Sequence, residues 1–129
     1  MTLKTYQEKA LKWLARYYER CRELQEAHDS FPASTAFYSV TREIYGTGLS
    51  YSPVKQLPGI PYVCLRIPTG GGKTVVGCEA VAVAQRELLR ADRLLVLWLV
   101  PSDAFRAQTL KRMQDRNDPY RVSLEMKLG

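Results

Sequence analysis

The sequence predicts an α/β fold in which a helical front section leads into a βαβ unit of a parallel sheet. Three observations carry that prediction. Residues 62–67 (Tyr-Val-Cys-Leu-Arg-Ile) and 93–100 (Arg-Leu-Leu-Val-Leu-Trp-Leu-Val) are short, mostly apolar, β-prone runs, and such runs suit strands covered on both faces. Between them, residues 72–90 read as a helix, with Val76, Ala80, Val83, Ala84 and Leu88 on its buried side. The lengths agree, because about 17 helical residues rise ~25 Å and a strand of about seven residues spans ~23 Å. The helix can therefore return the chain to its starting edge, with the right-handed crossover that such units adopt.

The front section reads as two helices. Thr5-Tyr6-Gln7-Glu8 has the S/T-x-x-E spacing of a capping box. Behind it Ala10, Leu14, Tyr17, Cys21 and Leu24 recur at helical spacing, so a long amphipathic helix is expected from about Tyr6 to Ala27. His28-Asp29-Ser30 ends it. A second helix is expected from Pro32 to Tyr45, with Pro32 in the first turn, Gly46 as the C-terminal cap and Ala36, Phe37, Val40, Ile44 and Tyr45 as its apolar stripe. Gly46, Gly48, Pro53, Pro58, Gly59 and Pro61 then mark a loop. It divides a front section, 1–60, from a second section, 61–129.

After Pro101, residues from Asp103 to about Gln114 look helical. The last stretch admits two readings. Tyr120, Val122, Leu124, Met126 and Leu128 alternate as a strand would, whereas Asp118-Pro119 suits a helix N-cap and first position, with Gly129 as the end. Helix is the preferred reading.

Length and composition bound the function. The 129 residues and 14.7 kDa make about one small domain. With 46% hydrophobic and 25% charged residues the chain is an ordinary globular mixture, which excludes collagenous and wholly disordered classes. Nineteen Lys and Arg against thirteen Asp and Glu give a net charge of +6, which favours polyanionic partners, although plain solubility explains it equally well. The longest uninterrupted apolar run, residues 94–100, falls far short of the ~20 residues that cross a bilayer, and the N-terminus has no secretory-signal pattern. No membrane partner is expected. Three cysteines with no C-x-x-C pair argue against a disulfide framework and point to a reducing cytoplasm. A single His disfavours a zinc site.

The strongest chemical signal is Pro68-Thr69-Gly70-Gly71-Gly72-Lys73-Thr74, between the first apolar run and the helix. Glycines permit backbone angles that other residues avoid and leave no side chain in the way. The amides of Gly70, Gly71, Gly72 and Lys73 are expected to point into one concavity and to hold phosphate oxygens, with Thr69 counted among the nucleotide-binding residues. A helix N-terminus adds free amides and partial positive charge. Lys73 would reach the β- and γ-phosphates as the catalytic lysine, and the Thr74 hydroxyl would ligate Mg²⁺. The full pattern G-x-x-x-x-G-K-[ST] asks for Gly at position 67, where this chain has Ile67. A nucleotide phosphate site is the expectation. Upstream, the Gln7 amide can accept from N6 and donate to N7 of adenine, and the bland alternative is a solvated first-turn Gln. Tyr6 packs nearby or in the core.

The loop and its flanks resemble the first RecA-like domain of a superfamily 2 helicase, closest to the helicase (Res) subunit of type III restriction enzymes. Leu3-Lys4-Thr5-Tyr6-Gln7 is similar to the adenine-reading element Leu-Arg-x-Tyr-Gln, with Lys4 in place of Arg. Residues 67–74 look like motif I, in a superfamily whose members commonly lack the first glycine. Residues 99–108, Leu-Val-Pro-Ser-Asp-Ala-Phe-Arg-Ala-Gln, look like motif Ia. The resemblance covers nearly the whole chain in order. It implies a partial RecA-like P-loop ATPase domain that uses ATP and Mg²⁺. It also implies DNA as a partner, held through its backbone at Ser102, Asp103 and Arg106, a second RecA-like domain, and a modification subunit. Lys111, Arg112 and Arg116 lie close enough in sequence to extend the DNA contact. The bland alternatives are a simple N-cap at Ser102 and a solvated basic face.

Hydrolysis in this class needs an acidic pair on a later strand and an arginine from a second domain. Asp103, Asp115, Asp118 and Glu125 follow Pro101, none ends an apolar strand, and no D-E-x-H or D-E-A-D occurs. The expectation is therefore the ATP-binding portion of a larger DNA helicase or translocase, inactive as an ATPase by itself. A nucleotide-binding interaction module is the alternative from another class. A small-molecule kinase is disfavoured, because it has no place for the upstream Gln or motif Ia. An open sheet edge at the Trp98 run would favour self-association.

Overall fold

A computed structural model describes residues 2–128, and among these residues it contains helices and irregular connections but no strand. The first helix, α1, spans Thr5–Glu26. It begins one residue earlier than the periodicity suggests, and that shift changes its cap. Gln7, not Glu8, occupies the third helical position: the Gln7 N–H donates to the Lys4 carbonyl at 2.9 Å and the Lys4 N–H donates to Gln7 Oε1 at 2.8 Å. The Thr5–Glu8 capping box is not formed. α2 spans Pro32–Tyr45, with proline in its first turn and Gly46 left-handed (φ 78°) after its last residue, as expected.

α1 and α2 run in opposite directions. Arg16 reaches Glu43 (3.2 Å) at one end, and Tyr17 and Cys21 pack against Ala33 and Ala36 at the other. Cys21 is fully enclosed, and burial pushes its thiol up to about 11. On its other side α1 meets α3, Lys73–Val83, through Leu11, Leu14, Val76 and Val83. α1 is thus the common wall of two clusters, and residues from both halves of the sequence build the core.

The helical reading of residues 72–90 needs one refinement. Beyond Val83 the helix widens into a π-helical stretch, Ala84–Leu89, which ends with the Arg90 N–H bonded to the Gln85 carbonyl at 2.8 Å and Arg90 left-handed. α4 spans Asp103–Gln114 and α5 spans Pro119–Leu128. The helical alternative for the last stretch is therefore the observed one: the Asp118 carboxylate accepts from the Tyr120 N–H at 2.9 Å. Gly129, the expected end of that helix, lies outside the described residues.

The parallel sheet is the expectation that the structure overturns. No backbone hydrogen bond joins residues 62–67 or 93–100 to another segment among the described residues, so the βαβ unit of a RecA-like domain is absent. Both runs are extended connections that lay one face on α3 and its neighbours. Val63, Leu65 and Ile67 turn inward while Tyr62, Cys64 and Arg66 are exposed. In the second run Val96, Trp98 and Val100 face α3, α4 and α5, while Leu95, Leu97 and Leu99 are 100%, 80% and 82% exposed. The physical reason is that an apolar run fixes what a segment wants to bury, whereas a strand exists only when a second segment satisfies its amides and carbonyls. Neither run has one among the described residues.

Candidate functional site

The glycine loop is built from the α1 side inward. The Gly71 N–H donates to the Pro68 carbonyl at 2.8 Å, closing a turn whose third residue, Gly70, is left-handed (φ 73°). Gly72 is left-handed as well (φ 74°) and is the N-cap of α3. Between them the Gly71 carbonyl accepts two side-chain donors from α1, Gln7 Nε2 at 2.7 Å and the Tyr6 hydroxyl at 2.9 Å. A trans peptide directs its N–H opposite to its carbonyl. Pinning the Gly71 carbonyl toward α1 therefore turns the Gly72 N–H away from it.

The outward side of the loop is rich in free donors. The Gly72, Lys73 and Thr74 amides have no hydrogen-bond partner among the described residues, and the first bond of the helix is Val76 N–H to the Gly72 carbonyl at 3.2 Å. α3 has no side-chain cap and no acidic residue in its first turn. Lys73 is exposed and makes no ion pair among the described residues. A cation at the positive end of a helix is unfavourable by itself, and an anion placed there would relieve it. Gly71 has no such free amide, so the expected cradle of Gly70, Gly71, Gly72 and Lys73 loses one member to the turn.

The fit to a phosphate chain is supported by space. A side chain at Gly70 would meet nothing within 4 Å, so that side of the loop is open. A Cβ at Gly72 would lie 2.6 Å from Gln7 Nε2, and one at Gly71 would lie 2.7 Å from the Pro68 carbonyl. Ile67, at the position where the full pattern has glycine, packs its side chain against the core cluster of α1 and α3. Thr69 is exposed and Thr74 half-buried. Among the described residues no group of three or more His, Cys, Asp and Glu gathers to hold a metal ion.

Gln7 lies beside the loop, and its amide is engaged at both ends. Oε1 accepts from the Lys4 N–H, Nε2 donates to Gly71, and the residue is 5% exposed. It is a strut between the start of α1 and the glycine loop. Tyr6, which the sequence left between site and core, shares that work.

The second candidate cluster is closed on itself. Ser102 caps α4 by accepting from the Phe105 N–H at 3.5 Å. Asp103 and Arg106 form an exposed ion pair at 3.3 Å, and Arg112 pairs with Asp118 and stacks over the Tyr120 ring at 4.5 Å. No hydrogen bond joins Ser102, Asp103 or Arg106 to the glycine loop among the described residues. Sequence reasoning also passed over Glu79, buried on α3 and held by the Ser123 hydroxyl (3.0 Å) and the Lys127 ammonium of α5. A lone acid in an apolar helix stripe was the available signal. No family model, curated protein or solved structure matches the chain. Among the described residues no helix is long and apolar enough to cross a membrane.

Proposed function

We propose that residues 69–74 and the start of α3 bind the triphosphate of ATP together with Mg²⁺. The observation that supports this most directly is the Gly71 carbonyl held by Tyr6 and Gln7, which turns the Gly72 N–H away from α1, next to Lys73 and Thr74 amides that have no hydrogen-bond partner among the described residues. In this reading Lys73 neutralises the terminal phosphates and the Thr74 hydroxyl ligates the ion. With no acidic cluster among the described residues, the remaining Mg²⁺ ligands in this reading are phosphate oxygens and water, the usual habit of this ion.

The wider proposal follows the motif order. The chain is the ATP-binding portion of an ATP-dependent DNA helicase or translocase similar to the type III restriction Res subunits. The parent enzyme hydrolyses ATP with a second ATPase domain and acidic residues that this sequence lacks, and a modification subunit is its partner. DNA backbone contact at Ser102, Asp103 and Arg106 belongs to the same reading and requires Arg106 to leave Asp103. Such an enzyme works in the cytoplasm.

Calorimetric titration with ATP and Mg²⁺ tests the core of the proposal. Wild-type chain binds, Lys73→Ala binds at least tenfold more weakly, and neither turns ATP over. Equal binding by Lys73→Ala overturns the site. ATP turnover that Lys73→Ala abolishes overturns the dependence on further domains.

A further inference from the structure

A pocket of about 310 Å³ lies beneath α4, walled by α3 at Val81, by the second extended run at Trp98 and by α5 at Leu124. It shares Arg106 with the DNA contact proposed above, and nothing with the glycine loop or with Tyr6 and Gln7 that hold it. α4 supplies the remaining wall through Arg106, Thr109, Leu110 and Met113. These positions fall on one helix face at i, i+3, i+4 and i+7, polar toward the start of the helix and apolar toward its end. α4 buries none of its residues, so this face borders the pocket instead of a packed core.

The charge of the lining is as one-sided as its shape. Arg106 is its single charged residue, and no acid belongs to it. The pockets on α1 differ, because Glu19, Glu43 and Glu87 line one and Glu8 and Glu79 line another. Arg106 Nε donates to Asp103, itself outside the lining, at 3.3 Å, and neither Nη group has a hydrogen-bond partner among the described residues. A guanidinium with a free pair of donors takes a carboxylate through two charge-assisted hydrogen bonds. Walls of valine, leucine and methionine adapt to a flexible alkyl chain.

We propose that this pocket binds an aliphatic monocarboxylate of medium chain length, with its head on Arg106 and Thr109 and its chain between Trp98, Leu110 and Met113. The volume stands at the small end of the roughly 300–1,000 Å³ of ordinary ligand sites, which suits one alkyl chain in solution and not a two-chain membrane lipid. The inference rests on this pocket and not on the reading of the glycine loop.

The test is calorimetric titration of the full chain with decanoate, kept below its micelle-forming concentration, alongside octanoate and decanol. A single decanoate binds. Octanoate binds about tenfold more weakly because its chain is two methylenes shorter, and decanol about fivefold or more weakly because Arg106 has no anion to hold. Arg106→Gln, at an exposed position, lowers decanoate to the level of decanol and leaves decanol unchanged. Thr109→Phe, which fills the pocket, weakens both ligands by about tenfold or more while circular dichroism stays unchanged. In a Trp13→Phe background decanoate moves the Trp98 emission to the blue, and phosphatidylglycerol vesicles do not. Lys73→Ala binds decanoate as the wild type does and ATP does not displace it, which separates this pocket from the glycine loop. Equal affinity for decanol and decanoate, wild-type affinity in both pocket variants, an equal emission shift with vesicles, or displacement of decanoate by ATP would each overturn the proposal.

Discussion

Two helices in this protein start the same way and end up chemically opposite. Each follows an extended apolar run: residues 62–67 lead through the glycine turn into α3, and residues 94–100 lead through Pro101 into α4. The start of α4 satisfies itself. Ser102 accepts one free amide, Asp103 sets a negative charge at the positive end of the helix, and Arg106 neutralises Asp103. The start of α3 does the reverse, with glycine as the cap, lysine as the first residue and no acid in the turn. Position after an apolar run does not make a helix end into an anion site. What distinguishes the two is whether the chain itself supplies the acceptor.

The largest effect that would break this contrast comes from the loop's backbone. Gly72→Ala puts a Cβ 2.6 Å from Gln7 Nε2 at a left-handed position. Losing the Gln7 bond and forcing the left-handed angle together cost ~3 kcal/mol. Denaturant unfolding reads that loss, and ATP affinity falls about a hundredfold. Gly46→Ala is the control, since Gly46 is also left-handed but has nothing within 4 Å of its missing Cβ; it loses ~1 kcal/mol and no ATP affinity. Equal behaviour of the two variants would show that Gln7 does not position the loop.

A smaller effect is expected at Gln7 itself. Gln7→Leu leaves the Gly71 carbonyl with Tyr6 as its remaining donor and removes the acceptor for the Lys4 N–H. The expected loss is ~1–2 kcal/mol of stability, with ATP bound about tenfold more weakly because the Gly71 peptide is free to turn. If stability falls and ATP affinity does not, Gln7 is a cap for α1 and has no part in the site.

These local arguments also mark what the sequence could disclose. Pro32, Gly46 and Asp118 signal helix ends by local chemistry, and the helices begin or end at those residues. Thr69 to Thr74 announces a tight glycine turn into a helix, because the glycines act within a few residues of one another. The strands failed because their existence depends on a partner far along the chain. Leu95, Leu97 and Leu99 read as buried, yet nothing among the described residues covers them. Likewise the role of Gln7 as a strut depends on Gly71, 64 residues away, and no periodicity carries that separation.

The smallest expected effects lie at α4, and they decide whether its start takes any part in binding. Ser102→Ala removes a cap and lowers stability by ~1 kcal/mol without changing ATP affinity, since no hydrogen bond connects Ser102 to the glycine loop among the described residues. Asp103→Asn is more informative. It removes the charge that repels phosphate and releases Arg106 from its 3.3 Å ion pair. Both changes favour a backbone phosphate at the helix start, so duplex DNA should bind two- to fivefold more tightly at low salt, in line with the ~0.3–1 kcal/mol of a single charge at a helix end. Unchanged affinity would mean that α4 begins with an ordinary self-satisfied cap, and that any anion binding at a helix start in this protein belongs to α3 alone.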